Sequence, residues 1–381
     1  MKREPKIILI ILILLLVCLS GIKVYAQPGG AAVPFLLISP DARGSGMGEV
    51  GTAIADDINA IYWNPAGLGT HGLLKSPSEA DSEAAPYRQI SIAFSRWLPQ
   101  FNADLYYSYG TIGQYFKALE GTVAFNFVFM NLGEFTRTSD NGTPLGKFIS
   151  NEFALGLSYG TIVATDLYVG FQLRYIQSNL APASAGQQGA GTGRSGGFDL
   201  GVLWTPQNLN LLGLDLGDML SLGINLQNVG PKVTYRDESD PLPTTLRLGS
   251  AVTVVKDEFN DLKFALDVSK LLVYRHTILN INGTDTTYET NSDPLPKSLV
   301  TGWNNPGVEL AFGTEYWYEQ IVALRAGYFT EPLRLGNRKF WNFGAGVRYD
   351  IFRLDFSFIM PIEQNNPLSN TMRFSLIIDW K

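Results

Sequence analysis

The sequence predicts an all-β fold: a transmembrane barrel of about fourteen antiparallel strands, with an N-terminal segment lodged inside as a plug. Three observations carry that expectation. Large apolar residues recur at every second position through most of the chain, the segments that show this are long, and the gaps between them alternate long and short. Composition agrees. Of 381 residues, 45% are hydrophobic and only 17% charged, whereas soluble domains carry about 25% charged residues. A net charge of −6 lacks the basic footprint of a nucleic-acid binder, so no nucleic-acid partner is expected.

The first element is a leader over residues 1–26. Lys2, Arg3 and Lys6 precede an apolar run from Ile7 to Leu19, and Val24 and Ala26 place small residues at the −3 and −1 positions of a cleavage site. That is the pattern of a secretory signal peptide, and the run is short for a helix spanning a bilayer, which needs about 20 residues. Val17 stands before Cys18, where a lipid-modified cysteine needs a small residue. Cleavage after Ala26 removes the single cysteine, so the exported chain is expected to lack disulfides, a thiol nucleophile and Cys-ligated metal.

Residues 27–87 do not alternate. They hold Ala32-Val33-Pro34-Phe35-Leu36, then Ser39-Pro40-Asp41-Ala42-Arg43, a glycine-rich stretch to Gly51, and Tyr62-Trp63-Asn64-Pro65-Ala66-Gly67. The piece up to Gly69 is too apolar for a linker and must pack on something. In a closed barrel the available place is the lumen. Leu74–Ala85, rich in Ser, Glu, Asp and Pro, reads as a connector.

Residues 88–381 form the barrel. Strands are expected near 88–97, 102–110, 118–131, 151–160, 166–177, 195–204, 220–228, 243–255, 261–273, 308–317, 320–330, 341–349, 351–360 and 370–380. Most are twice as long as the five or six residues usual in globular proteins, and match the roughly 9–11 of a tilted bilayer-crossing strand. In the segment near 351–360, Phe352, Leu354, Phe356 and Phe358 alternate with Arg353, Asp355 and Ser357. Successive side chains point to opposite faces of a strand. The non-greasy face is largely glycine, serine and isolated charge, as in Gly170, Gln172 and Arg174 or Gly197, Asp199 and Gly201. That suits a crowded lumen with the greasy face turned to lipid. Trp97, Tyr159, Tyr175, Trp204, Tyr316 and Tyr349 are candidates for interfacial girdles.

Gaps 132–150, 178–194, 229–242 and 274–307 are long, whereas 111–117, 161–165, 256–260, 318–319 and 350 are short. This is the loop asymmetry of outer-membrane barrels. Two gaps break it: 98–101 is short on the long side, and 205–219 long on the short side.

The N-terminal residues carry a resemblance. A-V-P-F-L, S-P-D-A-R-G-S-G-M-G and Y-W-N-P-A-G-L, over residues 31–68, resemble the N-terminal segment of the PorV/PorQ family of outer-membrane β-barrels from Bacteroidota-type bacteria. Asn64-Pro65-Ala66-Gly67 is also similar to the element of FadL-type channels, fourteen-stranded barrels with an N-terminal hatch. The resemblance implies a component of the type IX secretion system, sited in the outer membrane. Such a component binds the C-terminal signal domain of exported cargo and shuttles it from the translocon to the cell-surface sortase and attachment complex. Outer-membrane lipid is the implied surrounding. The wider likeness implies the alternative, a channel for hydrophobic small molecules or lipids. Trp63, Asn64, Pro65 and Gly67 are expected to be structural parts of the plug. Phe148 and Trp303, in long loops, are candidate partner contacts.

Catalytic and cofactor chemistry is not legible. Gly46-Met47-Gly48-Glu49-Val50-Gly51 matches G-x-G-x-x-G, but no apolar strand precedes it and no acidic residue lies about 20 positions on. The run Gly186–Gly197 lacks a phosphate loop's ending and reads as a flexible outer loop. His71 and His276 both fall in connections, which disfavours zinc and a Ser–His–Asp triad. Asp56 and Asp57 read as solvated turn acids rather than calcium ligands. The chain is therefore expected not to be an enzyme and to use no cofactor or metal.

Overall fold

The computed structural model describes residues 30–73 and 88–380, except 102, 140, 182–190, 212, 236–237, 283–284 and 305–306. The expected leader and the connector Leu74–Ala85 lie outside the described residues. Fourteen antiparallel strands close into one barrel. They are β1 (Arg88–Arg96), β2 (Tyr106–Phe116), β3 (Gly121–Thr138), β4 (Pro144–Ala164) and β5 (Leu167–Ala181). Then come β6 (Gly191–Trp204), β7 (Leu220–Val229), β8 (Thr245–Lys256), β9 (Asn260–Leu271) and β10 (Glu309–Tyr318). The wall ends with β11 (Val322–Thr330), β12 (Lys339–Tyr349), β13 (Phe352–Pro361) and β14 (Met372–Trp380). Each pairs with the next, and β14 returns to β1, from Trp380 opposite Arg88 to Arg373 opposite Ser95.

The alternation sorts the two faces as expected. Leu157, Leu173 and Leu354 point outward and are more than half exposed, while Ser158, Gln172 and Asp355 beside them are buried. No helix among the described residues is long and apolar enough to cross a membrane; the crossing elements are strands. On one side the connections are tight, and Asp166 and Asp350 adopt left-handed φ of 62° and 52° there, as short hairpin turns require. The exception at 205–219 folds as a small hairpin, Asn210–Leu211 against Leu214–Asp215.

The other mouth departs from the expected loops. Residues 132–150 are mostly strand, not loop: β3 and β4 continue to Thr138 and from Pro144. Phe135 stacks on Phe148 at 5.8 Å and Lys147 pairs with Glu134 at 2.6 Å. Both faces of this extension are exposed, and its few apolar residues do not repeat at every second position, so no hydrophobic alternation marks it. Residues 191–194, expected in the loop before the strand near 195–204, belong to β6, because their backbone pairs with β5. The gap after β9 holds a second hairpin, Arg275–Asn282 with Asp285–Ser292, and a short helix, Lys297–Thr301. Trp97 is not in an outer girdle; it faces inward under the Arg373 guanidinium, 5.5 Å from its ring centroid.

The seam between β6 and β7 is irregular at one end. β6 and β7 pair from Leu200 opposite Leu226 to Trp204 opposite Leu222, then slip to Phe198 opposite Val229. Asn228 sits there at φ 57°, and its amide donates to the Asp199 carboxylate at 2.7 Å instead of to a strand carbonyl. Arg174 holds the other carboxylate oxygen at 2.7 Å.

Candidate functional site

Inside the wall lies the N-terminal segment, whose backbone is too short of regular structure to satisfy itself. Its α-helices are one turn each, α1 (Ala42–Gly46) and α2 (Ala60–Trp63), and the rest of its helix is 3-10, over Pro34–Leu37 and Pro65–Leu73. Asp41 caps α1, accepting from the Gly44 amide at 2.8 Å, and its other oxygen accepts from Trp63 Nε1 at 2.7 Å. One carboxylate thus ties the two helices. Burial, then the nearby charge of Asp57, push Asp41 up to about 6.

Lumen-facing side chains complete the rest. Asp267 on β9 accepts from the amides of Gly51 and Thr52 at 3.0 and 2.9 Å and from the Thr52 hydroxyl at 2.7 Å. Asn225 on β7 donates to the Trp63 carbonyl at 2.8 Å, and Ser221 to that of Ala53 at 2.6 Å. The Asn64 amide donates to the carbonyls of Thr52 at 2.9 Å and Val202, on β6, at 3.0 Å. The segment is hydrogen-bonded to the wall around its circumference.

The strongest attachment is a closed ring of buried charges. Arg43 grips Glu315 on β10 with both arms of its guanidinium, at 2.9 and 2.8 Å, the bidentate geometry that favours arginine. Glu315 also accepts from Arg325 on β11 at 2.7 Å, and Arg325 reaches Asp355 on β13 at 2.8 Å. Asp355 accepts from Arg353 at 3.1 Å, Arg353 pairs with Asp57, and Asp57 returns to Arg43 at 3.1 Å. Three guanidinium groups and three carboxylates alternate, and two of the six come from the plug segment. Burial alone raises the Asp57 carboxyl, but the Arg353 and Arg43 guanidinium groups outweigh it and hold it well below the ordinary carboxylate range. Asp56, which pairs with Arg43 and lies 3.8 Å from Lys263, extends the ring.

Asp57 is therefore not a solvated turn acid, because Arg353 from the wall and Arg43 from α1 each bring a guanidinium group to it. Among the described residues no group of three or more His, Cys, Asp or Glu is placed to hold a metal ion. The arrangement anchors the segment to the wall.

Trp63, Asn64, Pro65 and Gly67 lie together at the plug–wall contact. A Cβ at Gly67 would sit 1.9 Å from the Ala55 carbonyl oxygen. Gly48, within the false nucleotide motif, has φ +77° and presses against the wall; a Cβ there would lie 2.5 Å from the Tyr328 amide nitrogen. Phe148 and Trp303 are not brought together with these; both are on the mouth with the extended hairpins, Trp303 in the short turn Gly302–Asn304. Sequence reasoning missed the ring. Its signal was present: Glu315, Arg325, Arg353 and Asp355 all occupy inward positions of strands whose other inward residues are mostly small.

A closed fourteen-strand wall, greasy outside and crossed inside by its own pinned N-terminal segment, defines a plugged β-barrel of the outer-membrane type. The chain belongs to the PorV family: the model described as "Type IX secretion system protein PorV" matches residues 27–277, well over half its length. A comparison with curated proteins finds no match. Among solved structures, a deltaS2S3 mutant of the TodX monoaromatic hydrocarbon channel is 12% identical, with TM-score 0.51, covering 89% of this chain and 97% of its own. The CymD monoaromatic hydrocarbon channel is 13% identical with TM-score 0.50, covering 90% and 96%. A FadL homologue of Pseudomonas aeruginosa is 13% identical with TM-score 0.48, covering 90% and 98%. At such identities the likeness to the two hydrocarbon channels shows the fold alone. The family is one of type IX secretion proteins.

Proposed function

We propose that the protein is an outer-membrane component of the type IX secretion system that binds the C-terminal signal domains of exported proteins and carries them from the translocon to the surface attachment complex. In this reading residues 1–26 are the export leader, 27–87 the plug and its connector, and 88–381 the barrel, with both barrel ends in the periplasm. The observation that carries it, beside family membership, is the asymmetry of the two mouths. One has tight turns. The other carries the β3–β4 extension and the hairpin 275–292, with Ile149, Val300 and Trp303 more than half exposed. Such hairpins offer edges and apolar residues for docking a protein.

The alternative, a conduit for hydrophobic molecules, sits less well with a lumen crossed by Arg43, Glu315, Arg325, Asp355, Arg353 and Asp57. Deletion of the gene is expected to strand proteins bearing the C-terminal signal in the periplasm. Normal surface display in the deletion strain refutes the proposal. Co-purification of the intact barrel with the translocon and surface attachment complex, weakened in a Phe148→Ser, Trp303→Ser double variant, tests the contact residues.

A further inference from the structure

Under the first turn of the plug, at the mouth with the extended hairpins, lies a cavity of about 340 Å³. That is the share of about ten water molecules. Its walls are mostly apolar, among them Phe35, Met130, Leu132 and Leu271. Three charged residues line it: Glu152, Glu309 and Arg338. Arg338 is already neutralised, gripping Glu331 through two bonds of 2.8 and 2.7 Å, with Glu309 3.9 Å away. Glu152 on β4 has no such partner. It is 4% exposed, its carboxylate accepts from the Ser178 hydroxyl at 2.6 Å, and no Lys or Arg forms an ion pair with it among the described residues. The lining therefore carries more negative than positive charge.

A carboxylate buried without a counter-charge is costly, and a ligand cation placed beside it recovers part of that cost. We propose that this cavity is a binding site for a protonated amine on an apolar shaft, with the ammonium group at Glu152 and the shaft along Met130 and Leu132. Two sources present that chemistry: a free alkylamine, and the lysine side chain of a polypeptide docked on the mouth. The site stands independently of the cargo-carrying reading.

The test uses the full mature chain in phosphatidylcholine nanodiscs, titrated with hexylammonium, hexanol and hexanoate, with empty discs as the blank. Trp97, which lines the cavity, reports by fluorescence. Hexylammonium is expected to bind at least tenfold tighter than hexanol, and hexanoate not to bind. Glu152→Gln is expected to remove the preference for the ammonium, and Leu132→Trp, which fills the cavity, to remove binding of both hexylammonium and hexanol. Competition by acetyl-lysine methylamide assigns the site to a lysine side chain; its failure to compete assigns the site to a free amine. Hexanol or hexanoate binding as tightly as hexylammonium, or no binding at all, overturns the proposal on the unaltered protein. An unchanged preference in a folded Glu152→Gln variant does so as well.

Discussion

Arg43→Met strikes the one plug residue that touches three carboxylates. Removing a partner from a buried ion pair costs about 3–5 kcal/mol. Here the loss falls near the lower bound, because Glu315 keeps Arg325 and Asp57 keeps Arg353. The ring opens into a chain with one uncompensated negative charge. About 3 kcal/mol corresponds to plug segments leaving the wall roughly a hundredfold more often. Hydrogen exchange of peptides spanning 41–63 measures that directly, while the strands of the wall serve as an internal reference that should not change. Adding Glu315→Gln removes the excess charge, so the double variant is expected to cost less than the two singles combined. Arg43→Lys keeps the charge but loses the forked contact, and should fall between wild type and Arg43→Met. Exchange over 41–63 rising less than tenfold in Arg43→Met would refute the claim that the ring retains the plug.

The Asp41 carboxyl is raised in the folded chain, from 3.8 to about 6. Its favourable contribution is therefore complete below about pH 4 and lost as pH rises through 6. Asp41→Asn should flatten the stability profile between those values by up to about 3 kcal/mol; an unchanged slope in thermal melts across pH 4–7 contradicts the assignment. Asp57 acts in the opposite sense: its contribution holds above its unfolded pKa and fades only in strong acid, so limited proteolysis at pH 5 should find the plug still protected. Gly67→Ala, forced against the Ala55 carbonyl, should destabilise the segment by about 1–3 kcal/mol or more, read as protease sensitivity near residues 55–68 with the barrel intact on unheated gels. Trp63→Phe loses the 2.7 Å bond to Asp41 and should cost about 1.5–3 kcal/mol, as for a hydrogen bond to a charged group.

The wall was legible in the sequence because lipid imposes a rule on every second residue of every strand. Where that constraint ends, so does the signal. The β3–β4 extension has water on both faces, and Phe135 and Phe148 meet only once the hairpin has formed. Residues 191–194 show no greasy face, so their backbone pairing left no trace. The plug was legible as something that must be packed, from its apolar Ala32–Leu36 and Trp63-Asn64-Pro65. Its attachment was not, since Arg43 and Glu315 are 272 positions apart and nothing local couples them. Asp57 looked like a turn residue because its guanidinium partners come from α1 and from β13.

The slipped junction of β6 and β7 has a mechanical consequence. A strand pair knitted by backbone bonds along its whole length resists sliding throughout, whereas the end of this pair beyond Leu200 is held by Asp199, Arg174 and Asn228. Side chains yield by rotating, without breaking a ladder. Lateral pressure from a neighbouring membrane protein would therefore meet a compliant stretch at that end of the pair, far in the wall from the strands carrying the buried ring of charges.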